Sequence, residues 1–384
     1  MSIHTHQRHL FQLPDDIHYL NCAYMSPMLK TVEVAGIEGL LLKRNPTVIQ
    51  PKDFFEPAQE IKAKFAQMVN GAATQIALIP SVSYGMQTVV NNLPTNKGNH
   101  ALLVSDEFPS AYYPLQQWCS TYHKTLTTIK APTATQNRGK LWNEELLTAI
   151  NKDTVAVFLS AVHWIDGTWF DLQRIGQRCK EVGALLVVDG TQSVGAMHID
   201  VKAYQIDALV CGAYKWLLAP YSTGLAYFSE VFNEGTPIEA SWMNRSNAKD
   251  FSQLTNYVNT YGEGAARYNV GEFSNFILLP MLNAALTQLL AWGTAPIQAY
   301  GEALSKPLTD YLAGNGYWVE APDQRAKHLL GFKLRPTQDL AKVVAKLQER
   351  KIFVSVRGTT IRVAVHLFNT PEDIAALLEV LQGE

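Results

Sequence analysis

A large α/β domain on a mostly parallel sheet, followed by a smaller α+β domain, is the architecture predicted for this 384-residue chain. Two observations predict it. Between about residues 76 and 215, short apolar runs alternate with longer amphipathic stretches, and runs such as ALLVV and TVAVFL are apolar on successive residues. Strands covered on both faces read that way, because both sides of the pleat must avoid water. From about residue 281 the order changes to strand, helix, strand, strand, helix, which suits a separate α+β unit.

In chain order, residues 1–30 read as an irregular arm, punctuated by Pro14 and Pro27, with a short extended piece at IHYLN. Two helices follow, TVEVAGIEGLLLKRN and FFEPAQEIKAKFAQMV, the second with apolar residues at helical spacing. The alternation then begins: IALIP before YGMQTVVNNL, HALLVSDE before YYPLQQWCSTYH, TVAVFLSAVH before LQRIGQRCKEVG, then the strands ALLVVDG and DALVCGAY. MLNAALTQLLAWG opens the last part, where GFKLRP, DLAKVVAKLQER, KIFVSVRG, TIRVAVHLFN and PEDIAALLEVLQ give the second unit. The expected division is 1–30 for the arm, 31–280 for the large domain and 281–384 for the small one.

The 32 Lys and Arg nearly balance the 34 Asp and Glu without long runs, which argues against a nucleic-acid surface. Cys22, Cys119, Cys179 and Cys211 are far apart and form no Cys-x-x-Cys pair, so neither a metal site nor a disulfide framework is expected. MSIHTHQRHLFQLPDD has no signal-like apolar stretch, and no segment has the apolar length of a membrane span. A cytoplasmic protein with small-molecule chemistry is the expectation.

The candidate site residues fall at or near predicted strand ends, where open α/β sheets place their ligands. In VVDGTQSVG, Asp189 and Gln192 follow a buried run. In isolation, Asp-Gly there is most often a turn. In DALVCGAYKWLLAP, Lys215 follows Tyr214 after another apolar strand; alone, such a lysine is usually on the surface. Ser81, Val82 and Ser83 precede a predicted helix, whose free N–H groups attract phosphate, although an ordinary serine N-cap reads the same.

Taken together, DGTQSVGA and GAYKW resemble the class V aminotransferase family of pyridoxal phosphate (PLP) enzymes, which includes cysteine desulfurases, kynureninases and isopenicillin N epimerase-like proteins. The resemblance spans roughly residues 17 to 375 and implies an aspartate aminotransferase-like large domain, a homodimer and a small amino-acid substrate. It implies Lys215 as the Schiff-base and proton-transfer lysine, Asp189 as partner of the pyridine nitrogen, and Gln192 as donor to the ring's phenolic oxygen. Val82, Ser83 and Tyr214 are implied as phosphate contacts and Phe108 as the aromatic face on the ring. His163 in SAVHWIDG lies near an active-site position of the family, though Trp164 is an alternative neighbour and a structural histidine an equal reading. Arg362 in TIRVAV is implied to hold the substrate's α-carboxylate, a task suited to a guanidinium fork, with Asn21 beside it and Arg357 as a second charge.

Two departures matter. In ARYNVGEFSN, Arg267, Tyr268 and Gly271 match the family pattern, but Glu272 stands where a threonine contacts phosphate across the dimer, and Ser274 or Asn275 is left as a substitute. Between Val356 and the arginine strand there is only RGTTI, with no cysteine, so persulfide-forming desulfurase chemistry is a poor fit. An aminotransferase is the leading expectation. A kynureninase-like or selenocysteine lyase-like lyase, an amino-acid epimerase and a non-catalytic cofactor-binding protein stay as alternatives.

Overall fold

The computed structural model describes residues 5–383. In chain order they form β1 (His18–Tyr19), α1 (Lys30–Leu42), α2 (Glu56–Val69), β2 (Ile76–Ile79), α3 (Val82–Val90), β3 (His100–Val104), α4 (Pro109–Thr121), β4 (Thr125–Ile129), α5 (Arg138–Ala149), β5 (Thr154–Ser160), α6 (Leu172–Val182), β6 (Leu185–Asp189), β7 (Ala208–Gly212) and β8 (Gly224–Phe228). Beyond them come α7 (Leu278–Trp292), α8 (Thr294–Gly314), β9 (Trp318–Val319), β10 (Leu329–Lys333), α9 (Leu340–Glu349), β11 (Ile352–Phe353), β12 (Ser355–Arg357), β13 (Thr360–Ala364) and α10 (Pro371–Gln382).

The large sheet has seven strands in the order β2-β8-β7-β6-β5-β3-β4. Its β3, β4, β5, β6 and β7 pair in parallel, while β8 runs antiparallel to both neighbours, β2 and β7. The successive apolar residues act as expected: Ala101 and Leu103 pack into one cluster with α3 and α4, while Leu102 and Val104 pack into the other with α2, α6 and α7. A side-chain period of two thus supplies two cores from one strand.

Three elements of the large unit did not stand out in the sequence, and neither did α8 and β9 before the smaller sheet. Strand β4 is TLTTI at a sheet edge, only partly buried, and has no continuous apolar run. Helix α5 (RGKLWNEELLTA) is polar on average and starts from Asn137 in the left-handed region instead of a standard side-chain cap. Strand β8 (GLAYF) is fully buried but follows a loop with no flanking helix to frame it.

The smaller unit is a four-stranded antiparallel sheet, β12-β13-β10-β9, whose core includes residues of α8, α9 and α10. Helix α7 spans position 281, packs on α1 and α2, and buries Leu282, Leu286 and Leu289 in the large unit's core. The arm ties the two units together. Its β1 pairs with β11, Leu20 enters the small core, and Cys22 and Ala23 enter the large one. No helix among the described residues is long and apolar enough to cross a membrane.

Candidate active site

Strands β5, β6 and β7 end at the same edge of the sheet, where Ser160, Asp189 and Gly212 line a cavity of about 340 Å³. Antiparallel β8 begins at that edge, so the preceding Tyr221, Ser222 and Thr223 also line it. The start of α3 adds Ser81, Val82 and Ser83, the start of α4 adds Phe108 and Ser110, and the turn after β7 adds Tyr214 and Lys215. Seven expected residues are thereby brought together: Val82, Ser83, Phe108, Asp189, Gln192, Tyr214 and Lys215.

Lys215 is buried, and its Nζ has no hydrogen-bond partner among the described residues; it lies 5.4 Å from the ring centre of Phe108 and 5.3 Å from that of Tyr214. Burial drives its pKa down to about 8 against the attraction of Asp189, with Arg362 and Arg357 pushing the same way as burial. Asp189 closes β6, and its Oδ1 accepts from the Thr191 N–H at 2.8 Å. Burial raises this carboxyl to about 6, with Glu107 adding to the rise and Thr191 and Lys215 opposing it.

The Gln192 amide is oriented from both ends: Nε2 donates to the Ala23 carbonyl at 3.1 Å, and Oε1 accepts from Trp216 Nε1 at 2.8 Å. One amide N–H is left over. Ser81 caps α3 by accepting from the Tyr84 N–H at 3.2 Å, and Ser83 Oγ donates to Ser110 Oγ at 2.9 Å. Free backbone N–H groups and two hydroxyls therefore gather where a helix dipole favours an anion.

Three expected residues lie outside the cavity lining. His163 is fully buried, with Nδ1 facing Asp166 at 3.2 Å and its ring against Trp142, so the following residue, Trp164, reaches the cavity instead. Arg362 is 1% exposed; Nη1 donates to the Trp164 carbonyl at 2.8 Å and Nη2 to Ser355 Oγ at 3.3 Å. Asn21 joins it through the same serine, whose Oγ donates to Asn21 Oδ1 at 2.8 Å. Arg362 Nε is buried without a partner, and burial lowers the guanidinium to about 10.

Glu272 sits in the left-handed region and lines a neighbouring hollow that shares Pro80, Ser222 and Thr223 with the main cavity. The four cysteines are free and buried. Cys22 Sγ lies 4.0 Å from the Lys215 carbonyl, a proximity that sequence distance concealed, and burial pushes its thiol well up. No group of His, Cys, Asp and Glu that could hold a metal occurs among the described residues.

Glu107 escaped the sequence reading. It accepts from the Ser160 N–H at 2.7 Å, from Ser160 Oγ at 2.6 Å and from the Phe108 N–H at 2.8 Å, locking the Phe108 segment to the end of β5. The available signal was its place directly before the candidate aromatic in SDEFP.

A buried amine without a partner, a buried carboxylate held by Thr191, an aromatic face and an anion-attracting helix start fit the aldehyde, pyridine nitrogen, ring and phosphate of PLP. Fold, cavity and donor set define a PLP-dependent enzyme. The sequence model described as Aminotransferase class-V matches residues 50–377, and the chain belongs to that family. It is similar to the uncharacterized aminotransferase YcbU of Bacillus subtilis, 25% identical over 87% of this chain and 85% of that protein. It is similar also to a probable cysteine desulfurase of Methanothermobacter thermautotrophicus, 24% identical over 84% of this chain and 82% of that one. Among solved structures, a C-DES mutant with glycine covalently linked to the PLP cofactor superposes with a TM-score of 0.84 at 20% identity, covering 98% of this chain and 99% of that one.

Proposed function

We propose that this protein is an aminotransferase for a small amino acid, working as a homodimer. The observation that carries the reading is the shared cavity of Lys215 and Asp189, with the amine brought down to about 8 and the carboxyl raised to about 6. In this reading Lys215 holds the cofactor covalently and then carries the proton to and from the substrate's α-carbon. PLP, when bound, supplies the sink for the electrons that the departing proton leaves behind.

Asp189 takes the pyridine nitrogen and keeps it protonated, and the remaining amide N–H of Gln192 takes the ring oxygen. Phe108 covers the ring face, which gives it packing without acid–base chemistry. The start of α3, Ser83 and Tyr214 receive the phosphate. Arg362, with Asn21 steadying Ser355 beside it, receives the substrate's α-carboxylate; its unpartnered Nε and lack of any protein carboxylate among the described residues support that role.

The homodimer rests on α1. Its small residues Gly36 and Gly39 face Met281 and Phe276, while Val34, Ile37 and Leu40 are each more than half exposed. That inverts the usual surface helix and leaves an apolar face to cover.

A lyase of the kynureninase-like or selenocysteine lyase-like kind is the second reading, with Phe108 and Tyr214 at the cofactor favouring the kynureninase-like form. The deciding experiment follows cofactor absorbance and products with alanine, glutamate, cysteine and kynurenine. Conversion of the cofactor to its amine form with release of a keto acid supports transamination. Release of a side-chain fragment with the cofactor unchanged would replace it with the lyase reading.

A further inference from the structure

The register of β12 on β13 sets Ser355 opposite Arg362 and Arg357 opposite Thr360. Arg357 and Arg362 therefore share one face of the small sheet as diagonal neighbours. Both reach Trp164: Arg362 donates to its carbonyl at 2.8 Å, and the Arg357 guanidinium lies over its ring at 5.6 Å. Trp164 in turn lines the cavity and packs edge-on against Phe108, with ring centres 5.4 Å apart.

Neither arginine has a carboxylate partner among the described residues. The Arg357 side chain donates only to the Val356 carbonyl, at 2.9 Å, and Arg362 is as described above. Arg138, a half-buried guanidinium near this region, is by contrast neutralised by both Asp166 and Glu320, at 3.1 and 3.2 Å. Two adjacent cations disfavour each other, so an unneutralised pair is a receptor for more than one negative charge. One guanidinium suffices for an α-carboxylate. Arg357, half-buried with its guanidinium over the ring of the cavity-lining Trp164, is placed for a second anionic group farther along the same molecule.

We propose that the substrate is an acidic amino acid, with a side-chain carboxylate or similar anion that Arg357 recognises while Arg362 holds the α-carboxylate. This rests on the cofactor reading above. The test titrates the PLP-loaded protein with aspartate, glutamate, asparagine, glutamine and alanine, and reads the half-saturating concentration from the cofactor's absorbance.

The acids are expected to saturate at concentrations about tenfold or more below their amides. In Arg357→Gln the ratio of amide to acid should fall towards one, and in Arg357→Lys, which keeps charge but loses the fork, it should fall part of the way. Acids and amides saturating alike in the wild type, or an unchanged ratio in Arg357→Gln, would overturn the inference and leave the cofactor reading standing. A wild type with no cofactor band at all would overturn both, and the missing band tells that failure from the first.

Discussion

The indole Nε1 of Trp216 donates to Oε1 of Gln192 at 2.8 Å, and both side chains are buried. The residue after the lysine thus sets, together with the Ala23 carbonyl, which way the Gln192 amide is turned. In Trp216→Phe, Oε1 loses its donor, which costs roughly 1–3 kcal/mol for a buried acceptor, and only the Ala23 carbonyl is left to hold the amide's orientation. The pH midpoint of the cofactor's absorbance should then move upward, as in Gln192→Ala, because the ring oxygen loses its donor. Combining the two substitutions should move it no further than Gln192→Ala alone. A lowered melting temperature with an unmoved midpoint would make Trp216 a packing residue only.

Asp189 links the site to stability. Burial raises its carboxyl from 3.8 to about 6, so the unfolded chain gives up this proton at a lower pH than the folded one. Its contribution to the cofactor-free fold is fully present below about pH 4 and is lost as pH rises through about 6. Asp189→Asn removes that loss. The cofactor-free variant should match wild type in acid and exceed it by up to about 3 kcal/mol at pH 7, an upper bound from two pK units. With PLP bound the ranking should reverse, since the charge then has a partner, and turnover should fall more than cofactor affinity. Melting curves across pH, with and without PLP, check both signs.

Lys215 attacks an aldehyde only as the neutral amine. With its pKa brought down to about 8, chiefly by burial, the rate of PLP attachment to the cofactor-free protein should climb with pH and level off above about 8. An ordinary surface lysine would still be climbing near 10. Borohydride should fix the cofactor in wild type and fail in Lys215→Ala; a surviving adduct in the variant would move the attachment site elsewhere.

How much of this was legible depends on whether the signal was local. Asp189 ends one continuous apolar strand, and Lys215, Gln192 and the α3 start each lie three residues beyond the end of one, so strand reading alone put them at one edge. His163 sits just as close to a strand end, yet it is turned inward by Asp166, three residues on, and by Trp142 on another element. Nothing in SAVHWIDG tells which of His163 and Trp164 faces the cavity. Cys22 against Lys215, and Ser26 donating from its N–H to the Tyr214 carbonyl at 3.0 Å, arise because the arm folds back across nearly two hundred residues, a pairing no local pattern records. Strand β4 was missed for a related reason: at the sheet edge only Ile129 and, in part, Leu126 reach the two cores, and the threonines among them carry no continuous apolar signal.

The His163–Asp166 pair is therefore expected to matter for folding. Burial alone would lower the histidine, but contact with Asp166 outweighs it and holds its pKa above the usual value; Arg138 closes the network on the other carboxylate oxygen at 3.1 Å. A raised histidine stabilises the fold fully below its ordinary pKa of about 6.5, and that contribution fades as pH rises through the folded value. Asp166→Asn leaves Arg138 and His163 with one fewer counter-charge and should cost about 3–5 kcal/mol. The same variant, once folded in the cold, should bind PLP with an unaltered absorbance band. A displaced band would return His163 to the cofactor site.

Helix α1 supplies the last expectation. Val34, Ile37 and Leu40 are 53%, 51% and 60% exposed on a helix whose buried positions are Val32, Gly36 and Gly39. Adding a side chain at Gly39 would meet the Phe276 backbone, so this face admits no larger residue and the big apolar groups are left pointing outward. Placing charges there, as Ile37→Glu with Leu40→Glu, touches nothing in the protomer's core and should leave its own fold within about 0.5 kcal/mol per site. If a second copy covers the face, each glutamate buried without a partner should weaken association by several kcal/mol, enough to convert a stable dimer to monomer at micromolar concentration. Sedimentation of wild type and variant decides it: a wild type already monomeric at that concentration would remove the dimer from the proposed function and leave the apolar face of α1 without its occupant.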